Sequence, residues 1–119
     1  MRRSHRDLRV WQEAISLVEL IYRVTATFPR DEQYGLTSQM RRAATSVPAN
    51  IAEGAARNGT RELLRYLSIA TGSLSELDTH LEVAKRLGLL NNADEVQGKI
   101  DQVSALILAL AKSLKAKTG

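Results

Sequence analysis

The 119 residues include no cysteine, which excludes a disulfide framework, a thiol nucleophile and any zinc site built on thiolates. Proline occurs twice, and the aromatic residues are few: Trp11, Tyr22, Phe28, Tyr34 and Tyr66. Strands draw on aromatic and β-branched side chains, helices on Leu, Ala, Glu and Arg, so this shortage already tilts the chain towards an all-α fold. The two histidines, His5 and His80, are too few and too far apart to suggest a metal site. No uninterrupted apolar run approaches the roughly 18 residues that mark a membrane span. The greasiest stretch, 17–24, is broken by Glu19, Tyr22 and Arg23. The basic N-terminal residues are not followed directly by the apolar segment of a signal peptide. A cytoplasmic location without membrane contact is the expectation.

What is present fits a single globular domain. Apolar residues make up 44% and charged residues 25%, enough for one hydrophobic core and too much periodic apolar content for disorder. Seventeen Lys and Arg oppose thirteen Asp and Glu, a net charge of +4. That excess weakly favours polyanions on a monomer, and a closed oligomer would multiply it over a shared surface. The expected organisation is a basic N-terminal arm over 1–7, a bundle over 8–116 and a short tail over 117–119.

Four helices follow from the spacing. The first runs over about 8–28, with Asp7 as its expected N-cap and Pro29 marking its end. Trp11, Ala14, Val18, Ile21, Thr25 and Phe28 form one seam, while Val10, Leu17, Leu20 and Val24 lie on an adjacent face. An apolar arc this wide exceeds what one bundle contact requires. Those four residues are therefore expected either to meet a second subunit or to be simply exposed. The second helix, about 36–58 with Thr37 as cap, carries Met40, Ala44, Val47, Ile51 and Ala55 on one side and a polar stripe containing Asn50 and Glu53 on the other. Pro48 inside it predicts a kink or a local loosening. Its abundance of Ala and Gly permits close approach of a neighbour. The polar stripe then reads as a hydrogen-bond network that fixes register, or as a solvated face if exposed. The third helix covers about 61–87, capped by Thr60 and ended by Gly88. The fourth covers about 93–115 with Val96, Ile100, Val103, Ile107, Leu110 and Leu114 as its seam. Short links between long helices predict an antiparallel up-down four-helix bundle.

No catalytic constellation is legible. Glu76 and His80 form an i,i+4 pair beside Asp78 and Glu82, but no Glu-x-x-His of the diiron bundles occurs. Ser38, Ser46, Ser73 and Ser75 lack any visible His and Asp partnership. The chain is expected to be no enzyme and to need no cofactor or metal. The arginines are the remaining chemistry. Arg2, Arg3, Arg6 and Arg9 form the arm, Arg41 and Arg42 sit on the second helix, and Arg57, Arg61 and Arg65 cross the next junction. Guanidinium forks grip phosphate oxygens with salt-sensitive, sequence-independent affinity. The plainer reading pairs Arg57 with Glu53 and Arg65 with Glu62.

Phe28-Pro29 through Glu32, Tyr34-Gly35-Leu36, then Gln39-Met40-Arg41-Arg42-Ala43-Ala44 and Ser46-Val47-Pro48-Ala49-Asn50-Ile51-Ala52-Glu53-Gly54, closely resemble the bacterial four-helix bundle proteins first noted in 23S rRNA intervening sequences. Val10-Trp11-Gln12 upstream, and Tyr66-Leu67, Ile69-Ala70, Gly72-Ser73 and Leu87-Gly88 downstream, resemble that family too. The resemblance implies a four-helix protomer commonly assembled as a homopentamer. A related bundle, the accessory variability determinant of diversity-generating retroelements, partners a reverse transcriptase and nucleic acid. The leading expectation is a non-enzymatic oligomer binding RNA or DNA through Arg41, Arg42, Arg57, Arg61 and Arg65. The alternative is a protein-binding adaptor, for example for a reverse transcriptase.

Overall fold

The computed structural model describes residues 4–118, so Arg2 and Arg3 of the expected arm lie outside the described residues. These residues form four α-helices and no strand: α1 (Arg9–Thr25), α2 (Leu36–Ala56), α3 (Thr60–Arg86) and α4 (Asp94–Thr118), with 3-10 turns at His5–Asp7 and Arg30–Glu32. The helices lie within a 47 × 20 × 19 Å envelope. α1 packs on α2 and α4, while α3 packs on α2 and α4, so each helix touches two neighbours. No helix among the described residues is long and apolar enough to cross a membrane.

The core is built from the periodic positions. Ala14, Ile21, Met40, Ala44, Val47, Ile51, Leu67, Ala70, Leu77, Leu81, Val96 and Val103 are essentially inaccessible. Burying a Leu or Ile side chain contributes roughly 1.5–3 kcal/mol by removing apolar surface from water. A chain of this length therefore needs no staple beyond this cluster.

The arc of α1 has a different role from the one its width suggested. Val10, Leu17 and Leu20 are 4%, 0% and 5% exposed within the single chain, and Val24 is half-buried against the same core. Val10, Leu17 and Leu20 are thus taken up by the core of the protomer itself, and Val24 alone of the four keeps partial exposure. The physical reason is that α1 lies between two neighbours, α2 and α4, and a helix flanked on two sides needs a stripe wide enough for both. The side left partly open carries Trp11, Ile15 and Val18 instead.

Helix ends also differ from expectation at three caps. Leu8, not Asp7, occupies the N-cap of α1. Thr37 lies inside α2, whose N-cap is Gly35, and the Glu32 carboxylate caps the helix by accepting from the Leu36 N–H at 3.1 Å. Thr60 is the first residue of α3, with Gly59 before it at φ +93°. The C-terminus of α3 follows the expected left-handed stop. Gly88 has φ +73°, and Leu89 and Gly88 donate to the Ala84 and Lys85 carbonyls. α2 stays helical through the buried Pro48. α4 is longer than expected, continuing to Thr118, into the segment read as a tail.

Candidate nucleic-acid interface

The segment Asn50 to Gly54 builds the contact between α2 and α3. A Cβ added at Gly54 would lie 2.7 Å from the Tyr66 Cβ and 3.1 Å from a Leu63 methyl. Glycine is thus required by close approach, since no larger residue leaves α3 where it is. One turn away, the Asn50 side-chain amide donates to the Ser46 carbonyl and hydroxyl at 2.8 and 2.9 Å. The Ser46 hydroxyl in turn meets that of Ser73 on α3 at 2.8 Å. Glu53 belongs to a separate cluster. Its carboxylate accepts from the Arg57 guanidinium at 3.0 Å and from the Tyr66 hydroxyl at 3.2 Å.

Arg57 and Arg65 both stack on the Tyr66 ring, 5.5 and 5.3 Å from its centre. Arg57 donates to the Tyr66 hydroxyl as well, and Arg65 pairs with Glu62 at 3.8 Å. The Arg57 and Tyr66 donors hold the Glu53 carboxyl below its usual range, and the Glu53 acceptor in turn raises Arg57. The signature expected to form one network thus forms two polar clusters that pin α2 to α3. Two of the five arginines read from the sequence serve the second of them.

The other three differ. Arg41 reaches back to α1, where its Nε donates to the Thr25 hydroxyl at 2.9 Å and its guanidinium lies 4.4 Å from the centre of the Tyr22 ring. It also donates to the Tyr22 carbonyl at 3.4 Å, and no carboxylate stands against it. Arg42 and Arg61 are exposed and make no ion pair among the described residues. The acidic residues gather elsewhere. A cleft between α3 and α4 is lined by Asp78 and Asp101, joined through the Gln97 amide at 2.9 and 3.1 Å. Glu13 on α1 pairs with Lys99 on α4.

Two further features had no sequence signal of their own. An apolar groove of about 350 Å³ runs between α1 and α2, walled by Trp11, Ile15, Val18, Pro48, Ala49 and Ala52. At the α1–α2 corner, an open cleft of about 420 Å³ is lined by Thr25, Phe28, Arg30, Gln33, Thr37 and Arg41, among others. Among the described residues no group of three or more His, Asp or Glu is arranged to hold a metal ion. His80 and Glu76 meet at 3.3 Å as the i,i+4 pair expected of them.

No curated protein matches the chain. Among solved structures, a protein of unknown function from the S23 ribosomal protein family of Bacteroides thetaiotaomicron superposes with a TM-score of 0.77, covering 87% of this chain and 98% of its own. At 18% identity that likeness is one of fold. The model of the 23S rRNA-intervening sequence protein family matches residues 6–109, which spans all of α1 to α3 and most of α4, and the chain belongs to that family.

Proposed function

We propose that this protein is a non-enzymatic basic helical module that binds RNA or another nucleic acid through its phosphates. The observation that carries this reading is the set of arginines free of carboxylates: Arg42 and Arg61 exposed, and Arg41 held by Thr25 and Tyr22. An arginine whose orientation is fixed by a neutral hydroxyl and an aromatic face keeps its full charge for an anion. Arg57 and Arg65 contribute field rather than direct grip, because their forks are engaged by Glu53, Glu62 and Tyr66. Sparse aromatics leave little to stack bases on, so affinity would come from the backbone and carry little sequence preference.

In this reading the helices run up-down-up-down, since they are joined by links of only 26–35, 57–59 and 87–93. The protomers assemble as a homopentamer that sums the charge. The apolar groove walled by Trp11, Ile15, Val18 and Pro48 supports a subunit contact there, in place of the buried Val10, Leu17 and Leu20. The same groove favours the second reading, an adaptor that docks on a protein such as a reverse transcriptase. Equilibrium binding to a labelled RNA separates the two. Arg42→Glu with Arg61→Glu should abolish binding if phosphates are the target. Unchanged affinity in that variant would move the assignment to the adaptor.

A further inference from the structure

The cleft at the α1–α2 corner, unlike the acidic cleft between α3 and α4, is lined by basic and not by acidic side chains. Arg30 and Arg41 line it, and neither Asp nor Glu does. Arg41 is held by the Thr25 hydroxyl and the Tyr22 ring, which limits the conformational freedom it would lose on binding. The cleft opens beside the start of the 21-residue helix α2. There the Leu36 N–H is taken by Glu32, and the Gln39 N–H by the Gly35 carbonyl. The intervening N–H groups of Thr37 and Ser38 belong to the first turn, where no intrahelical carbonyl is available to them.

The side chain of Thr37 is the second, independent sign. Thr37 is only 8% exposed and lines the cleft, yet its hydroxyl has no hydrogen-bond partner among the described residues. No fully buried side-chain oxygen or nitrogen in the described chain lacks a partner. The Thr37 oxygen therefore keeps contact with solvent, and the cleft is the opening it lines. With no protein partner, the hydroxyl leaves its donor and acceptor capacity open to a water or ligand in the cleft.

We propose that this cleft is a phosphate site, in which Arg30 and Arg41 bracket the anion while the Thr37 hydroxyl and the first-turn amide of α2 donate to its oxygens. Charge-assisted donors converging on a helix N-terminus match a tetrahedral oxyanion. The opposing charges are Asp31 and Glu32, on the same turn as Arg30. The Glu32 carboxylate is engaged on the Leu36 N–H, and neither acid lines the cleft. The proposal deepens the nucleic-acid reading by naming where one phosphate would sit. The phosphate could equally be a backbone or terminal phosphate of RNA, or a free phosphate ion.

The test is a titration of the full chain with inorganic phosphate, followed by amide and arginine Nε–H shifts, with chloride as the ionic control. Saturable shifts are expected at Thr37, Ser38, Arg30 and Arg41. Arg30→Gln and Thr37→Val should each weaken phosphate binding, Arg30→Gln by about tenfold, the scale of one charged hydrogen bond. Both variants should keep the native melting temperature, because Arg30 is exposed and the Thr37 hydroxyl holds nothing in place. Shifts that stay linear and match those in chloride would overturn the site, as would saturable shifts that neither variant weakens. Titrating matched RNAs with and without a 5′-phosphate then separates the sources. Loss in the variants with both RNAs assigns a backbone phosphate, loss only with the phosphorylated RNA a terminal one. Saturable inorganic phosphate with no effect on RNA assigns a free ion. RNA binding without a phosphate response would refute the cleft and leave the nucleic-acid reading standing. The reverse result would refute that reading and leave the cleft.

Discussion

Replacing Gly54 by Ala sets two effects of opposite sign against each other, and the structure decides between them. Helix propensity alone favours alanine in the interior of α2 by roughly 0.5–1 kcal/mol. The new Cβ, however, would lie 2.7 Å from the Tyr66 Cβ and 3.4 Å from the Leu63 Cα. Neither atom can swing aside by a rotamer change, because both are fixed to the backbone of α3. The helix must retreat by several tenths of an ångström, and that movement would stretch the Glu53–Tyr66 and Ser46–Ser73 bonds across the same seam. Overpacking of this kind costs about 1–3 kcal/mol, so the net expectation is destabilisation by about 1 kcal/mol, and at most about 2.5 kcal/mol, once the propensity gain is subtracted. For a domain of this size each kcal/mol lowers the melting temperature by roughly 4 °C. Urea unfolding followed by circular dichroism gives the value, with Gly72→Ala and Gly98→Ala as controls. Neither control meets a heavy atom within 4 Å, so both should gain the propensity term and become more stable. A Gly54→Ala variant as stable as the native chain, or more so, would refute the close approach of α2 and α3.

Other outcomes follow from the same packing. Leu17→Ala should destabilise the fold by about 2–5 kcal/mol, because the side chain is wholly buried in the protomer. Loss of assembly mass with unchanged unfolding would instead return Leu17 to a subunit contact. Ile15→Glu with Val18→Glu, placed in the open groove between α1 and α2, should keep native helicity and reduce the mass in solution to that of one protomer. A variant that retained the native oligomeric mass would rule that groove out as the contact. Glu53 titrates below its ordinary value, first through Arg57 and then through Tyr66. The stability it contributes is therefore present above about pH 4.3 and lost as pH falls through its lowered folded value. Glu53→Gln should flatten the acid limb of the stability profile. Glu13 and Glu82 are lowered likewise, so part of that limb should remain; an identical slope in both proteins would contradict the cluster.

The sequence carried the helices better than their surroundings. The seams of α3 and α4 were legible because each apolar position recurs at helical spacing, and Gly88 was legible because a left-handed stop has few alternatives to glycine. The caps were harder. Asp7, Thr37 and Thr60 are all good cap residues by type, but Glu32 reaches the start of α2 from outside the helix, a contact no local pattern shows. The breadth of the α1 arc was visible, whereas its cause was not, since spacing along one helix does not count its neighbours. The arginines illustrate the same limit. The pairs Arg57 with Glu53 and Arg65 with Glu62 could be read from helical spacing. The hold of Thr25 and Tyr22 on Arg41 spans 16 and 19 positions along the chain and emerges only from the packing of α1 on α2. The corner cleft shares that origin, because Arg30, Thr37 and Arg41 become a cluster only when the 26–35 link folds back.

Light scattering of the full chain with and without a mixed RNA pool, at low and at high salt, tests the nucleic-acid assignment most directly. Binding through phosphates predicts a heavier complex at low salt that dissociates as salt rises, because counterion release weakens with ionic strength. A mass indifferent to RNA at both salt concentrations, or a complex equally heavy in each, would contradict it.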